Sequence, residues 1–192
     1  MKMFHKHKKQ IFFIILIISI SSIFLNFYQF NRIRDYQSAK GADYLTTART
    51  LYHQLSNNYV DYWEKVVTED ESASNSLSFH LGKYERFKWQ LNQGGGLVFS
   101  LLRNELSVLG RQLGKLDGQV KLGNDVKELK NSMETRRSFI IDTLTHIEAQ
   151  LGEDTRKWYV QLSDFDSETS QWFWKRFKEY EEKMYLTQSR GD

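Results

Sequence analysis

The chain has 192 residues, a formal net charge of +3, and neither cysteine nor proline. Without cysteine there is no disulfide framework and no thiolate to hold a metal or act as a nucleophile; without proline, long helices meet no obligatory breaker. The four lysines in the first ten residues exceed the net positive charge, so the remainder is close to neutral and lacks the basic field that nucleic-acid binding needs.

Residues 11–30, IFFIILIISISSIFLNFYQF, carry no charge. At about 1.5 Å per residue such a run spans roughly 30 Å, the thickness of a bilayer's hydrocarbon core. Lys2, Lys6, Lys8 and Lys9 precede it, and Arg32 and Arg34 follow. The heavier basic side predicts a cytoplasmic head at 1–10, a transmembrane helix at 11–30 and an extracytoplasmic domain at 31–192. The head would rest against anionic head groups. A cleaved signal peptide is the competing reading. The run is longer than a usual signal core and no small-x-small site follows it, which favours a retained anchor. Ser19, Ser21, Ser22, Asn26 and Gln29 make the span moderately polar. That is either tolerance near the outer interface or a helix–helix contact through side-chain hydrogen bonds. No Asn-x-Ser/Thr sequon occurs, which together with the absence of cysteine suits a bacterial cell envelope.

Beyond the span the period is helical. Tyr44, Leu45, Ala48, Leu51, Leu55, Tyr59, Tyr62 and Val66 recur every three or four positions, and only Gly41 interrupts continuity with the membrane helix. Residues 68–76 are polar and turn-prone and read as the first loop. A second helix follows with Leu77, Leu81, Tyr84, Phe87 and Leu91 inward, ending at the triple glycine 94–96.

Leu102, Leu106, Leu109, Leu113, Leu116 and Val120 alternate by fours and threes, the a/d seam of a coiled-coil-like surface. The phase breaks and restarts at Val126, Leu129, Met133, Ile140, Leu144, Ile147 and Leu151. Gly123, Asn124 and Asp125 at the break offer a C′ glycine and an N-cap, which favours a hairpin over a kink. Gly152 ends this helix, and Glu153, Asp154 and Thr155 begin a last one. It carries Trp158, Tyr159, Leu162, Phe165, Trp172, Phe173, Trp174, Phe177, Tyr180, Met184 and Tyr185, with a bend or restart near Ser163. No stretch alternates with period two long enough for a strand. The expected fold class is all-α: a single N-terminal transmembrane helix followed by an antiparallel helical-bundle, coiled-coil-like ectodomain.

The sequence lacks the usual marks of a metal or catalytic site. None of His53, His80 and His146 has the Glu-x-x-His spacing of a bundle di-iron site, and there is no HExxH. Asp164, Asp166 and Glu168 begin like a calcium loop, but Thr169 stands at its glycine position and Lys175 at its closing glutamate. The triple glycine lacks the GK[ST] of a phosphate loop, and no GxSxG occurs. The expectation is therefore no enzyme activity, no cofactor and no metal. The terminal Arg190, Gly191 and Asp192 spell an adhesion tripeptide, too short a string to carry weight without structural context.

Two patterns point to partners. Gly110, Gly114 and Gly118 form a ridge beside the leucine seam, where each glycine costs about 0.5–1 kcal/mol against alanine; close approach of a helix or partner backbone would account for it. Trp172, Phe173 and Trp174 are consecutive, and successive side chains on a helix point about 100° apart, so one core stripe cannot hold all three. At least one ring should lie at the stripe's edge or outside, as at a partner surface or bilayer interface.

A ten-residue head has no room for a kinase or cyclase output, so any signal sensed outside would pass to a second membrane protein. The leading expectation is a single-pass envelope protein whose helical ectodomain serves as a scaffold, assembly factor or accessory subunit. Its partners would be the lipid bilayer, an envelope protein and, as a further option, a second copy of the chain. The alternative is a helical-bundle ligand-binding or sensory ectodomain. An anchored coiled-coil lysis factor fits the aromatic content and multiple turns poorly.

Overall fold

The computed structural model describes residues 2–57, 63–65, 68, 82, 85–86 and 96–188, with side chains described from 12 to 184 within those ranges. Five helices have described bounds: α1 (Lys2–Asn57), α2 (Gly96–Lys121), α3 (Lys127–Leu151), α4 (Thr155–Ser163) and α5 (Glu168–Gln188); residues 63–65, 68, 82 and 85–86 are helical as well. No strand occurs among the described residues, so the all-helical class stands. Tyr59, Tyr62, Val66 and the inward residues Leu77, Leu81, Tyr84, Phe87 and Leu91 of the proposed second helix lie outside the described residues, as do Arg190, Gly191 and Asp192.

The first helix is one unbroken rod of 56 residues, roughly 84 Å long at its normal rise. It is the one described helix long and apolar enough to cross a membrane, with a mean hydropathy of 2.0 over its most apolar stretch. None of that stretch is buried. The character of α1 changes at Gly41. From there Tyr44, Leu45, Ala48, Leu51 and Leu55 enter the core, on the period read from the sequence.

Gly41 does not break the helix; it admits a neighbour. A Cβ there would overlap the carbonyl oxygen of Thr155, so the backbones of α1 and α4 touch and only glycine fits. Around this contact Arg156 Nε donates to Gln37 Oε1 at 3.1 Å. Tyr159 lies between Tyr36 and Tyr44, with ring centroids 5.8 and 6.1 Å away.

Both seams contribute to the core, with Val120 and Leu129 half-buried. Leu102, Leu106, Leu109, Leu113 and Leu116 are buried on α2, while Met133, Ile140, Leu144, Ile147 and Leu151 are buried on α3. Cross-links between these helices join residues ever closer in sequence towards the turn: Glu105 to Arg136, then Gln112 to Ser132. The chain therefore doubles back at 122–126, which resolves hairpin against kink. Gly123 sits at φ +71° and its N–H reaches Val120 O at 3.0 Å, a glycine-terminated helix end. The cap of α3 differs from expectation: Val126 occupies the cap position, and the Asp125 carboxylate accepts from Lys127 N–H at 2.9 Å.

Two long-range links fasten α3 to α1. Arg137 donates to the Leu55 carbonyl of α1 at 2.8 Å. Arg49 donates to Glu148 at 2.7 Å and also binds Glu153. These charge-assisted bonds hold the Glu153 carboxyl below its usual range and push the Arg49 guanidinium up.

The expected last helix is two helices. Asp154 caps α4 by accepting from Lys157 N–H at 3.1 Å, and Trp158 Nε1 donates back to Gly152 O at 2.9 Å. The chain leaves helical geometry at 164–167. Ser167, rather than Ser163, caps the restart, its hydroxyl accepting from Ser170 N–H at 3.1 Å. The same hydroxyl donates to the Gln161 carbonyl, so Ser167 can be buried without an orphaned polar atom.

Candidate functional site

The most distinctive chemistry lies inside the helices rather than on them. Glu105 of α2, Arg136 of α3 and Tyr180 of α5 are each less than a tenth exposed. The Glu105 carboxylate forms a salt bridge with Arg136 and accepts from the Tyr180 hydroxyl at 2.7 Å. Arg136 Nε donates to Gln112 Oε1 at 3.3 Å, and the amide of Gln112 donates to Ser132 Oγ at 2.8 Å. Five side chains from three helices thus satisfy one buried ion pair. Burial pushes the Tyr180 phenol up to about 12, with the charge of Arg136 opposing the shift. At ordinary pH it donates a hydrogen bond and accepts no proton from a substrate. The cluster holds helices together and presents no free base.

The outer edge of this cluster is the floor of a groove. Phe139 and Tyr180 stack at 4.1 Å with planes 13° apart, and the open groove over them, between α3 and α5, has a volume of about 410 Å³. Its walls carry Asn131, Glu134, Thr135, Ser138 and Asp142 from α3, and Arg176, Glu179 and Lys183 from α5. Glu134 is bonded to Arg137, and Arg176 to Glu179 at 3.4 Å. The groove is polar and apolar in about equal measure, with walls of mixed charge and a floor of two stacked aromatic rings. Such a surface suits recognition of a small polar ligand or a charged segment.

Among the described residues no group of three or more His, Asp or Glu side chains is placed to hold a metal. His53 is exposed. His146 stacks on Trp172 with centroids 3.6 Å apart, and its Nε2 is buried without a hydrogen-bond partner.

The aromatic triplet divides as the helical period demands. Phe173 is fully buried, against Phe139 and Phe177. Trp172 and Trp174 flank it, half-buried at the two margins of the stripe. Trp174 stacks against Phe177, and Lys178 lies over its ring at 5.0 Å. Neither indole stands clear of the protein, and each keeps part of its surface in solvent.

Among the described residues, no helix packs on the glycine ridge at Gly114 and Gly118. Gly114 and Gly118 are exposed, with nothing within 4 Å of where a Cβ would be, and Gly110 is half-buried. Close backbone contacts among the described residues are made instead at Gly41, against Thr155, and at Gly96, against Leu162.

Sequence reasoning missed Glu105 and Arg136, although a signal was there. The α3 seam steps from Met133 to Ile140 with no apolar residue between on that face, and Arg136 fills the vacancy. Glu105 occupies the corresponding place beside Leu102, Leu106 and Leu109. A charge at a seam position was the mark of a buried pair.

Compared with known proteins, the chain matches no family, no curated protein and no solved structure.

Proposed function

We propose that this chain is a single-pass protein of a bacterial cell envelope, N-terminus inside. Its extracytoplasmic antiparallel helical bundle, with a coiled-coil-like α2–α3 pair, serves as a scaffold, assembly factor or accessory subunit. One observation carries the reading: α1 is a single continuous helix whose first half exposes an apolar surface and whose second half is bundle core. An anchor built this way fixes the domain at the membrane in a set orientation, which a docking subunit needs and a freely tethered enzyme does not. The open backbone of α2 at Gly114 and Gly118, and the half-covered rings of Trp172 and Trp174, are the surfaces offered to a protein partner. Capture from native membranes in mild detergent tests this. Partners should co-purify with the intact chain in fixed ratio and be lost when Gly114 becomes Leu or Trp174 becomes Ala, while the helical content stays. A chain that purifies alone from native membranes counts against it.

A second reading has its own observation, the α3–α5 groove over Phe139 and Tyr180. In that reading the bundle senses a small polar ligand and hands the signal to another membrane protein. A screen of small zwitterions and organic anions by thermal shift separates the two, since Asp142→Ala and Lys183→Ala should abolish a ligand-induced shift without touching partner capture.

A further inference from the structure

We infer that the foot of the folded domain, formed by the start of α4 clamped against α1, is a docking surface for anionic phospholipid head groups. The inference rests on the membrane-anchor reading above and adds a second contact with the bilayer, made by a segment more than a hundred residues from the span.

The height of this foot is set by α1. Gln37 lies seven residues past Phe30, so the Arg156 guanidinium bonded to it stands about 10 Å above the hydrocarbon edge if the helix is upright. The head-group layer reaches about 5–7 Å above that edge. Membrane helices tilt by about 20° on average, and α4 packs beside α1 at an interaxial distance of no more than about 10 Å. A tilt towards α4 lowers its start by about 3 Å, which brings Arg156 to the head groups.

The chemistry at that level is matched to phosphate. Arg32, Arg34, Arg156 and Lys157 are exposed. Arg32 lies over the Tyr28 ring and Arg34 over the Phe30 ring, each at 5.8 Å, in the manner of side chains reaching back along an interfacial belt. Tyr36, 55 % exposed, packs edge-on against Tyr159, and Val160 follows Arg156 one helical turn on, 39 % exposed. The neighbouring acids are largely occupied. Glu153 is bound by Arg49, Asp154 caps α4, and Asp164 accepts from the Asp166 N–H at 3.0 Å. Asp35, between Arg34 and Gln37, lies in the same layer and Asp43 above it, so the four exposed cations face two charged carboxylates there, Asp35 and Asp154. The layer nearest the membrane is thus net positive, and the Gly41–Thr155 contact makes it rigid with the anchor.

Because the chain has no cysteine, one introduced thiol reports position cleanly. The full chain with Lys157→Cys carries a fluorophore and is reconstituted in vesicles of phosphatidylcholine alone, or with three parts in ten phosphatidylglycerol, each containing head-group-labelled quencher lipid. A second chain labelled through Lys121→Cys, at the far end of α2, is the control. Quenching at 157, stronger in the anionic vesicles and absent at 121, is the expected result. Arg156→Gln in the Lys157→Cys background should lower the docked fraction, with the docked-to-free ratio falling about fivefold. Equal quenching at 157 in both lipids, or none, in a chain that resists alkaline carbonate extraction overturns this inference alone. Release of the chain by carbonate overturns the anchor reading, and this one with it.

Discussion

Tyr180 donates its phenolic hydrogen to Glu105 at 2.7 Å, across 75 positions of sequence, and the same carboxylate bears the charge of Arg136. The phenol therefore does two things at once: its hydroxyl completes a buried ion pair, and its ring lies under the groove against Phe139. Buried pairs of this kind specify arrangement more than they stabilise it, because desolvation offsets much of the attraction.

Glu105→Ala leaves Arg136 buried and unpaired, and should destabilise the chain in detergent by about 3–5 kcal/mol in urea melts. The double replacement Glu105→Leu with Arg136→Met should recover most of that loss. A double variant as unstable as the single one would show that the pair contributes net stability of its own.

Tyr180→Phe removes one hydrogen bond to a charged group, at a cost of about 1.5–3 kcal/mol. The phenol's folded pKa of about 12 lies above its ordinary 10.0. Its share of stability is whole below pH 10 and is lost as pH rises through 12. Wild type should therefore lose stability across that alkaline window more steeply than Tyr180→Phe, read from urea midpoints at successive pH values. Parallel curves would show that the phenol is not held protonated.

Two glycines on helices should respond in opposite directions to the same change. Gly41→Ala drives a methyl into the Thr155 carbonyl and should lower the melting temperature, because backbone cannot step aside as a flexible side chain can. Gly114→Ala points into open space and should stabilise by about 0.5–1 kcal/mol. Calorimetry of the two variants side by side checks the assignment, which fails if Gly41→Ala is neutral.

Core and margin should separate in the same way within the aromatic triplet. Phe173→Ala should cost about 3–5 kcal/mol, whereas Trp172→Ala and Trp174→Ala should cost less. In single-tryptophan variants, position 174 should be open to an aqueous quencher in the isolated protein and protected in native membranes. Full shielding in both settings would remove the docking role.

Leu113 is almost wholly buried in the α2 seam. Leu113→Asp should unfold the α2–α3 hairpin, with a loss of several kcal/mol seen by circular dichroism.

The periodic parts of this fold were legible because burial writes itself into spacing. The seam from Leu102 to Leu116 and the restart at Val126 identify α2, α3 and the turn between them, and Gly152 marks the end of α3. What spacing does not carry is the meeting of distant backbones. Nothing near Gly41 announces Thr155, since a close approach needs only a missing Cβ, and a lone glycine in a helix has several uses. The regular Gly110, Gly114 and Gly118 drew attention for their pattern, yet Gly114 and Gly118 face open space. The break near Ser163 was legible, since α4 ends there, but the cap of the restart is Ser167, which only its contact with the Gln161 carbonyl identifies. Of the candidate site, Tyr180 and the triplet were visible as aromatics. The groove was not, because it joins α3 residues to α5 residues some forty positions away.

The unbroken course of α1 has a consequence for azimuth. Eighteen residues make about five full turns of an α-helix, so Ser19 and Asn26 in the apolar stretch point the same way as Gln37 and Tyr44 above it. Those upper two are the residues that meet α4, through Arg156 and Tyr159. A second transmembrane helix hydrogen-bonded to Ser19 and Asn26 would therefore stand directly beneath α4. On the anchor reading, a partner recognised inside the bilayer would be delivered to that one side of the domain, with Ser19, Asn26, Gln37 and Tyr44 as marks on a single continuous edge.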